Sequence, residues 1–337
     1  MHWLALEPDF VRRATFDLEL QFAPTYGATE SQRSPTHGPV YITGMARSGT
    51  TMLLRMLYAT GEFRSLTYRD MPFVLAPNQW QRISFSGRRH MTAVERAHAD
   101  GIYVDYDSPE AFEEVFWETF CPRCKNSQYL EPQQATPEVL ARFAQYRRAV
   151  AGSKRYLSKN NNNLLRLQEL TADTTATILV VYRDPFDTAL SSDHQHKRFC
   201  ESQTTDAFIR RYMKWLGHFE FGLDHRPYGF TKTMLTAGLI RGSRDYWIDY
   251  WTATYHHVLQ NLGPRAVLIN HDALRSEPKR AVAAIFEHLG IAADPQPFAA
   301  SVTPQRPPRY QEPFQRALEM KASSVHQLLL RNHRNLI

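Results

Sequence analysis

The length and charge of the chain set the first limits on its class. It has 337 residues, of which 43% are hydrophobic and 22% are charged, a composition that fits a folded globular protein and excludes disordered and fibrous classes. Lysine and arginine outnumber aspartate and glutamate by 40 to 34, a net charge of +6, which favours a small anionic ligand and does not by itself indicate nucleic acid.

Residues 1–38 are predicted to form an N-terminal extension, closed by the turn-rich stretch 34–39. Charged side chains occupy the place where a signal peptide would need an unbroken apolar stretch: Glu7, Asp9, Arg12 and Arg13. The longest apolar run, Ile178 to Tyr182, is far shorter than the roughly 20 residues that cross a bilayer. We therefore expect a cytosolic protein without a membrane span.

Beyond the extension, short apolar strands alternate with helices. The predicted strands are residues 40–42, 63–66, 155–158, 177–182 and 266–269. Two prolines mark helix starts. Pro185, after Asp184, and Pro278, after Glu277, each fall in the first turn of a predicted helix. The alternation predicts an α/β fold with a central, mostly parallel sheet of about five strands and helices on both faces. We expect residues 39–337 to form one such domain.

The segment between the second and third strands is too long for a simple crossover, so residues 69–152 are predicted to form a helical insertion. Asp107, Ser108 and Pro109 predict a helix start there, with the helix reaching about Phe120. Insertions of this kind often carry a substrate pocket. Its aromatic side chains would line a pocket or pack a core: Phe73, Trp80, Trp117 and Tyr129. A later aromatic series with helical spacing predicts a helix that faces the core: Tyr246, Trp247, Tyr250, Trp251 and Tyr255.

The strongest functional signal is the loop between the first strand and the helix after it. It reads Gly44-Met45-Ala46-Arg47-Ser48-Gly49-Thr50-Thr51, and in this context backbone N–H groups can cradle phosphate oxygens, which indicates a P-loop-type three-layer fold. The nucleotide-hydrolase motif needs a lysine directly after the second glycine, where this chain has Thr50. The cation lies instead at Arg47, whose planar fork suits the oxygens around a bond between two anionic groups.

A second cluster follows the most apolar predicted strand. Arg183 comes directly after that strand, at the end where ligands bind in open parallel sheets. Ser191 follows eight residues later, about two helical turns along the same face. An arginine and a serine so placed can bind one further phosphate.

At these two motifs the sequence resembles the sulfotransferase family that uses 3′-phosphoadenosine 5′-phosphosulfate, in the form typical of bacterial and Golgi-type members. The resemblance covers roughly residues 40–290 and includes a strand that ends in Lys159 and a later one that ends at His271 and Asp272. It implies that the donor's 5′-phosphosulfate binds the loop and that Arg183 and Ser191 bind its 3′-phosphate. The implied loop contacts are Arg47, Ser48, Gly49, Thr50 and Thr51.

The resemblance also implies in-line transfer of a sulfuryl group to a hydroxyl or amine of a carbohydrate or small-molecule acceptor, with neither a covalent intermediate nor a metal. Arg47 would neutralise the charge that grows on the bridging oxygen, and Lys159 would contact the leaving group. Two alternatives stay open. One is a P-loop kinase of small molecules, disfavoured by Thr50; the other is a nucleotide-binding module without catalysis.

The general base is the least determined part of the predicted site. Many family members have a histidine just after the strand that carries Lys159, whereas this chain has Asn160–Asn163, and neutral amides cannot accept a proton. Helical projection sets Glu113 beside the buried face of the predicted insertion helix and points Glu114 further away. We predict Glu113 as the base, with Glu110, Glu114 or a histidine as alternatives.

The cysteines and histidines do not predict a metal site. Cys121 and Cys124 have C-x-x-C spacing, but no second pair follows, and with Cys200 they cannot form a disulfide framework. The histidine pairs at 194/196 and 256/257 lack metal-binding spacing; the stretch 194–198 would instead face an anionic acceptor such as a sugar acid. The proline-rich stretch 304–313 is interpreted as an extended arm. Oligomeric state is left open.

Overall fold

The fold is known from a computed structural model that describes residues 8–22, 38–84, 94–95, 103–122, 128–132, 134–303 and 313–337. The predictions for Cys124 and for residues 304–312 lie outside these ranges. The strands are β1 (Val40–Thr43), β2 (Phe63–Arg64), β3 (Val94–Glu95), β4 (Tyr103–Val104), β5 (Arg155–Lys159), β6 (Thr177–Tyr182) and β7 (Ala266–Asn270). The helices are α1 (Asp9–Phe22), α2 (Thr50–Ala59), α3 (Pro77–Ile83), α4 (Glu114–Phe120), α5 (Pro137–Ala151), α6 (Leu167–Thr171), α7 (Pro185–Thr205), α8 (Ala207–Trp215), α9 (Arg244–Asn261), α10 (His271–Ser276), α11 (Pro278–Leu289), α12 (Gln296–Ser301) and α13 (Arg316–Leu330).

Five of the strands form one parallel sheet in the order β2-β5-β1-β6-β7. This confirms the predicted α/β class and all five predicted strands, although β2 is shorter than expected. Strand β1 is central, with Val40 opposite Leu157 of β5 and opposite Thr177 of β6. The carboxyl ends of β1, β5 and β6 therefore meet at one edge of the sheet. The antiparallel pair β3–β4 is a feature that the sequence did not predict.

Helices cover both faces of the sheet, and each face builds its own core. Along β6, Leu179 and Val181 pack into one apolar cluster, while Ile178 and Val180 pack into the other, because successive side chains of a strand point to opposite faces. Helices α2 and α11 supply the first cluster. The predicted aromatic helix is α9, and it supplies the second cluster with the buried side chains of Tyr246, Trp247, Tyr250, Trp251 and Tyr255.

Helix α4 begins later than predicted. Its first residue is Glu114 rather than a residue near Pro109. The segment before it makes hydrogen bonds that are not those of a helix. The Ser108 hydroxyl donates to Asp105 at 2.7 Å, and the Glu110 N–H donates to the carbonyl of Leu66 at 3.0 Å. Those contacts hold residues 105–110 as a turn and an extended piece, so the helix starts only after them.

Helix α1 lies within the predicted N-terminal extension and packs on the helices between β2 and β5. Phe16 is fully buried, with its ring centroid 5.8 Å from Phe116 of α4 and 6.0 Å from Tyr146 of α5. The division into an extension, a domain and an insertion stays a prediction. Within the described ranges, none of the helices combines the length and apolar character that a bilayer span requires.

Candidate active site

The loop between β1 and α2 has an unusual backbone. Arg47 adopts φ 74°, a left-handed conformation that costs a residue with a Cβ roughly 1–2 kcal/mol. The surrounding contacts hold this turn: the Met45 N–H donates to the Tyr255 hydroxyl at 3.3 Å, and that hydroxyl donates to the Val181 carbonyl at 2.7 Å. Strain of this kind persists where the fold enforces it, often at functional sites. The fold therefore holds this loop in one defined conformation.

The helix that follows this loop begins without a side-chain cap. Gly49 is its N-cap residue and makes no side-chain cap, and the first turn contains no acidic residue. Helix α7, which begins at the same edge of the sheet, is different. Its N-cap Asp184 accepts from the N–H groups of Phe186 and Asp187, each at 2.9 Å. An anion at this edge would therefore be bound by the N-terminus of α2, where the backbone donors are uncapped.

Gly49 is the tightest point of the loop. It has φ 97°, and a Cβ there would overlap with the imidazole of His271, which is buried at the start of α10. Burial lowers the pKa of His271, with Asp272 acting in the opposite sense. A neutral imidazole thus lies directly against the turn into α2.

Replacing Gly49 by alanine is expected to lower the free energy of unfolding by more than the same change at Gly61. Gly61 also has a positive φ, 79°, but nothing lies within 4 Å of a Cβ there, so Gly61→Ala carries only the conformational cost of about 1–2 kcal/mol. Gly49→Ala adds an overlap with His271, about 1–3 kcal/mol more. Urea unfolding of both variants measures the difference; equal losses would contradict the close packing.

The two predicted phosphate motifs are in direct contact. Arg47 Nε donates to the Ser191 Oγ at 2.9 Å, so the loop after β1 touches the helix after β6. Arg183, at the start of the second motif, pairs with Asp187 at 2.7 Å and lies 3.6 Å from Asp272. Asp187 hydrogen-bonds Nη2, whereas Asp272 lies near Nε without a hydrogen bond to it; the guanidinium carries five N–H donors in all.

Asp272 anchors this second motif. Burial alone would raise its pKa, but the neighbouring His271, the Asp184 N–H at 2.6 Å and Arg183 outweigh burial and hold the pKa below its usual value. Asp272 is therefore ionised at neutral pH. It fixes the turn into α7 and the direction of Arg183 together.

A cleft lies beside the loop, and two of the three predicted catalytic residues, Arg47 and Lys159, line it. Its lining includes Arg47, Thr50, Thr51 and Lys159. Lys159 is the last residue of β5, and its side chain is largely buried, at 8% exposure. Ser48 is fully buried behind the loop. The remaining lining residues are Ala46, Glu110, Asn161, Met213, His218, Glu220 and Phe221.

Glu113 is absent from that lining, and its carboxylate is occupied inside the protein. Oε1 accepts from Trp117 Nε1 at 3.1 Å and from Asn163 Nδ2 at 3.2 Å. Oε2 accepts from the hydroxyls of Tyr156, at 3.1 Å, and Ser158. A carboxylate that already holds these donors stabilises the buried structure around it and has little capacity for an acceptor's proton.

The projection that pointed Glu114 away from the buried face is wrong. Glu114 is 1% exposed and forms a bidentate pair with the equally buried Arg166, at 2.9 and 3.0 Å. The reason is that α4 is buried on nearly all sides, with Glu114, Val115, Phe116, Trp117 and Thr119 all buried, so pointing away from the phenylalanine face does not bring a side chain to solvent. Asn160 adds a hydrogen bond to the same carboxylate at 2.6 Å.

Of the four asparagines after β5, Asn161 is the one that lines the cleft. Its Oδ1 accepts from the Thr50 hydroxyl at 3.4 Å, and its Nδ2 donates to Glu220 at 3.4 Å. Its carbonyl accepts from the hydroxyls of Thr43 and Tyr228. Asn161 thereby links the loop after β1 with the segment after α8. His218 and Glu220 belong to that segment, and no sequence motif marks them.

The histidines after the second motif do not face this cleft. His196 is half-buried and accepts from the Gly222 N–H at 3.2 Å, and its ring packs against Trp247. Lys197 pairs with Asp193 on the surface. Over the described part of the chain, no group of three or more His, Cys, Asp or Glu side chains is arranged to hold a metal ion.

A model of the sulfotransferase family matches residues 39–236, more than half of the chain. Among solved structures, the chain is similar to sulfotransferase STF1 of Mycobacterium tuberculosis H37Rv, with 14% identity, a TM-score of 0.45 and coverage of 95% of this chain and 84% of that one. It is also similar to sulfotransferase STF9 of Mycobacterium avium, with 14% identity, a TM-score of 0.45 and coverage of 97% and 75%. A search of curated proteins gave no match.

Proposed function

Because the chain belongs to the sulfotransferase family, we propose that it transfers a sulfuryl group from 3′-phosphoadenosine 5′-phosphosulfate to a hydroxyl or amine of a carbohydrate or small molecule. The observation that carries this proposal is the 2.9 Å contact between Arg47 Nε and Ser191 Oγ. It joins the phosphate loop to the second anion motif. A nucleotide with phosphate groups at both its 5′ and 3′ positions would engage both motifs together, whereas ATP has no 3′-phosphate.

The residues of the cleft fit such a donor. The uncapped N–H groups of α2 and the hydroxyls of Thr50 and Thr51 are donors for phosphate or sulfate oxygens. Arg47 and Lys159 bring positive charge to the same cleft. Arg183 and Ser191 would receive the 3′-phosphate, and a charged guanidinium forms strong hydrogen bonds with a phosphate.

In the proposed reaction, the donor supplies the sulfuryl group, and the protein stabilises the negative charge that develops on the leaving nucleotide. The acceptor atom forms a bond to sulfur while the bond from sulfur to the bridging phosphate oxygen breaks, and the electron pair of that bond stays on the oxygen. Arg47 and Lys159 stabilise the negative charge that develops there. Their partial burial strengthens this effect, because less water screens the charges.

Binding of adenosine 3′,5′-bisphosphate, AMP and ATP, measured by calorimetry, tests the proposed donor. We expect the bisphosphate to bind most tightly. Arg183→Ala is expected to weaken it by about 10- to 100-fold, the equivalent of one charge-assisted hydrogen bond of roughly 1.5–3 kcal/mol, and to change AMP binding little. Arg280→Ala is the matched control, since Arg280 is an exposed cation on α11.

Equal binding of the three nucleotides would contradict the proposal. Magnesium-dependent preference for ATP would favour the kinase alternative. Tight bisphosphate binding without transfer of label from the ³⁵S-labelled donor, with 4-nitrophenol, monosaccharides and glucosamine as acceptors, would favour a binding module. A cytosolic location is part of the proposal and is supported by the sequence, whose three cysteines cannot form a disulfide framework.

A further inference from the structure

The reaction needs a group that removes the acceptor's proton, and the segment after α8 brings candidates into the cleft. The asparagine run after β5 cannot do so, because an amide does not accept a proton at neutral pH. The side-chain amide of Asn160 donates to Glu114, and that of Asn163 donates to Glu113. Asn162 donates to the Gly217 carbonyl at 3.1 Å. That last contact fixes the segment that carries His218 and Glu220.

The position of this segment is determined by packing as well as by hydrogen bonds. Gly217 adopts φ 73°, and a Cβ there would meet the side chain of Glu114 at 2.7 Å. The next residue, His218, donates its N–H to the Met213 carbonyl at 2.9 Å. The chain thus turns sharply against the buried Glu114 and enters the cleft at His218.

One hydrogen bond decides which nitrogen of His218 accepts a proton. Nε2 lies 3.3 Å from the carbonyl oxygen of Ala111. A carbonyl only accepts, so Nε2 carries the hydrogen in this contact, and in the neutral imidazole Nδ1 is then the basic nitrogen. The ring is half-buried and lines the cleft that also contains Arg47 and Lys159.

The two carboxylates of the cleft are weaker candidates. Glu110 accepts from the Tyr68 hydroxyl at 2.8 Å and from the Ala111 N–H at 2.9 Å, and both bonds favour its anion. Glu220 accepts from Asn161. An imidazole nitrogen is in general a stronger base than a carboxylate, which favours His218 over the two glutamates as the proton acceptor.

We propose that His218 is the general base of this enzyme, an inference that rests on the proposed function. Nδ1 takes the proton of the acceptor hydroxyl or amine as the acceptor atom bonds to sulfur, and the bond from sulfur to the bridging phosphate oxygen breaks, leaving its electron pair on that oxygen. The resulting imidazolium keeps its Nε2 bond to Ala111 and returns the proton to water. The charged side chains that share the cleft with it are Arg47, Glu110, Lys159 and Glu220.

His218→Gln tests this role, because the glutamine amide keeps a donor for the Ala111 carbonyl and cannot accept a proton. With ³⁵S-labelled donor and the best of the three acceptor types, kcat is expected to fall by about 10²- to 10⁴-fold, while affinity for adenosine 3′,5′-bisphosphate stays within threefold. The wild-type rate should fall at low pH with an ionisation that the variant lacks. Imidazole added to His218→Gly should restore part of the rate.

Glu110→Gln and Glu220→Gln are the matched controls, and each is expected to lose less than tenfold and to keep the ionisation. His218→Gln with kcat within threefold of wild type, or an ionisation lost in a glutamate variant instead, overturns the assignment. A wild-type protein that transfers no label to any of the acceptors overturns the proposed function itself, which separates the two failures.

Discussion

Arg47→Ala and Arg47→Gly are both expected to lower kcat for sulfuryl transfer by about 10³-fold, the scale of removing a group that stabilises transition-state charge. Both also lose the bond to Ser191. They differ in stability, because Arg47 has φ 74°. Alanine keeps a Cβ in the left-handed region and glycine does not. Arg47→Gly is therefore expected to have a free energy of unfolding about 1 kcal/mol higher than that of Arg47→Ala.

The comparison separates the two roles of this position. Rates with the labelled donor report the charge, and urea unfolding of the same two proteins reports the backbone. Arg47→Lys keeps a positive charge without the planar fork, and we expect a rate between those of wild type and Arg47→Ala. A kcat for Arg47→Ala within tenfold of wild type would contradict the assigned role of the guanidinium.

Local signals explain why the sheet and the strand–turn–helix unit of β1 and α2 could be predicted. Strand β6 was predicted at its observed bounds because an unbroken apolar run meets Asp184 and Pro185, which begin the next helix. The turn before α2 is equally local. Helix α4 was misplaced because the contact between Glu110 and Leu66 joins residues that are distant in sequence, and no pattern near Pro109 reveals it.

The same distinction applies to the candidate site. Arg47 and Thr50 lie in the connection from β1 into α2, and Lys159 is the last residue of β5. They could be predicted to lie together because the carboxyl ends of parallel strands meet at one edge of the sheet. The surroundings of Glu113 could not be foreseen, since its donors come from α4, β5 and the turn after β5. His218 reaches the cleft through contacts between residues distant in sequence, such as the hydrogen bond from Asn162 to the Gly217 carbonyl across 55 residues.

Loss of one partner of the Glu114–Arg166 pair is expected to have the largest effect on stability. Both side chains are 1% exposed, and the guanidinium also lies 4.7 Å from the Trp117 ring. Arg166→Met leaves Glu114 as a buried charge without its counter-ion, which costs about 3–5 kcal/mol. Glu114→Gln removes the opposite charge and is expected to cost a similar amount. Urea unfolding of each variant measures the loss.

A surface pair provides the comparison that isolates burial. Arg280 and Glu277 also lie 2.9 Å apart, but their side chains are 81% and 58% exposed. Arg280→Met is expected to change stability by less than about 1 kcal/mol, because water screens the pair. The double variant Glu114→Gln/Arg166→Met should recover part of either single loss, since no unpaired charge remains. Additive losses in the double variant would show that packing, and not charge pairing, accounts for the stability that these two side chains contribute.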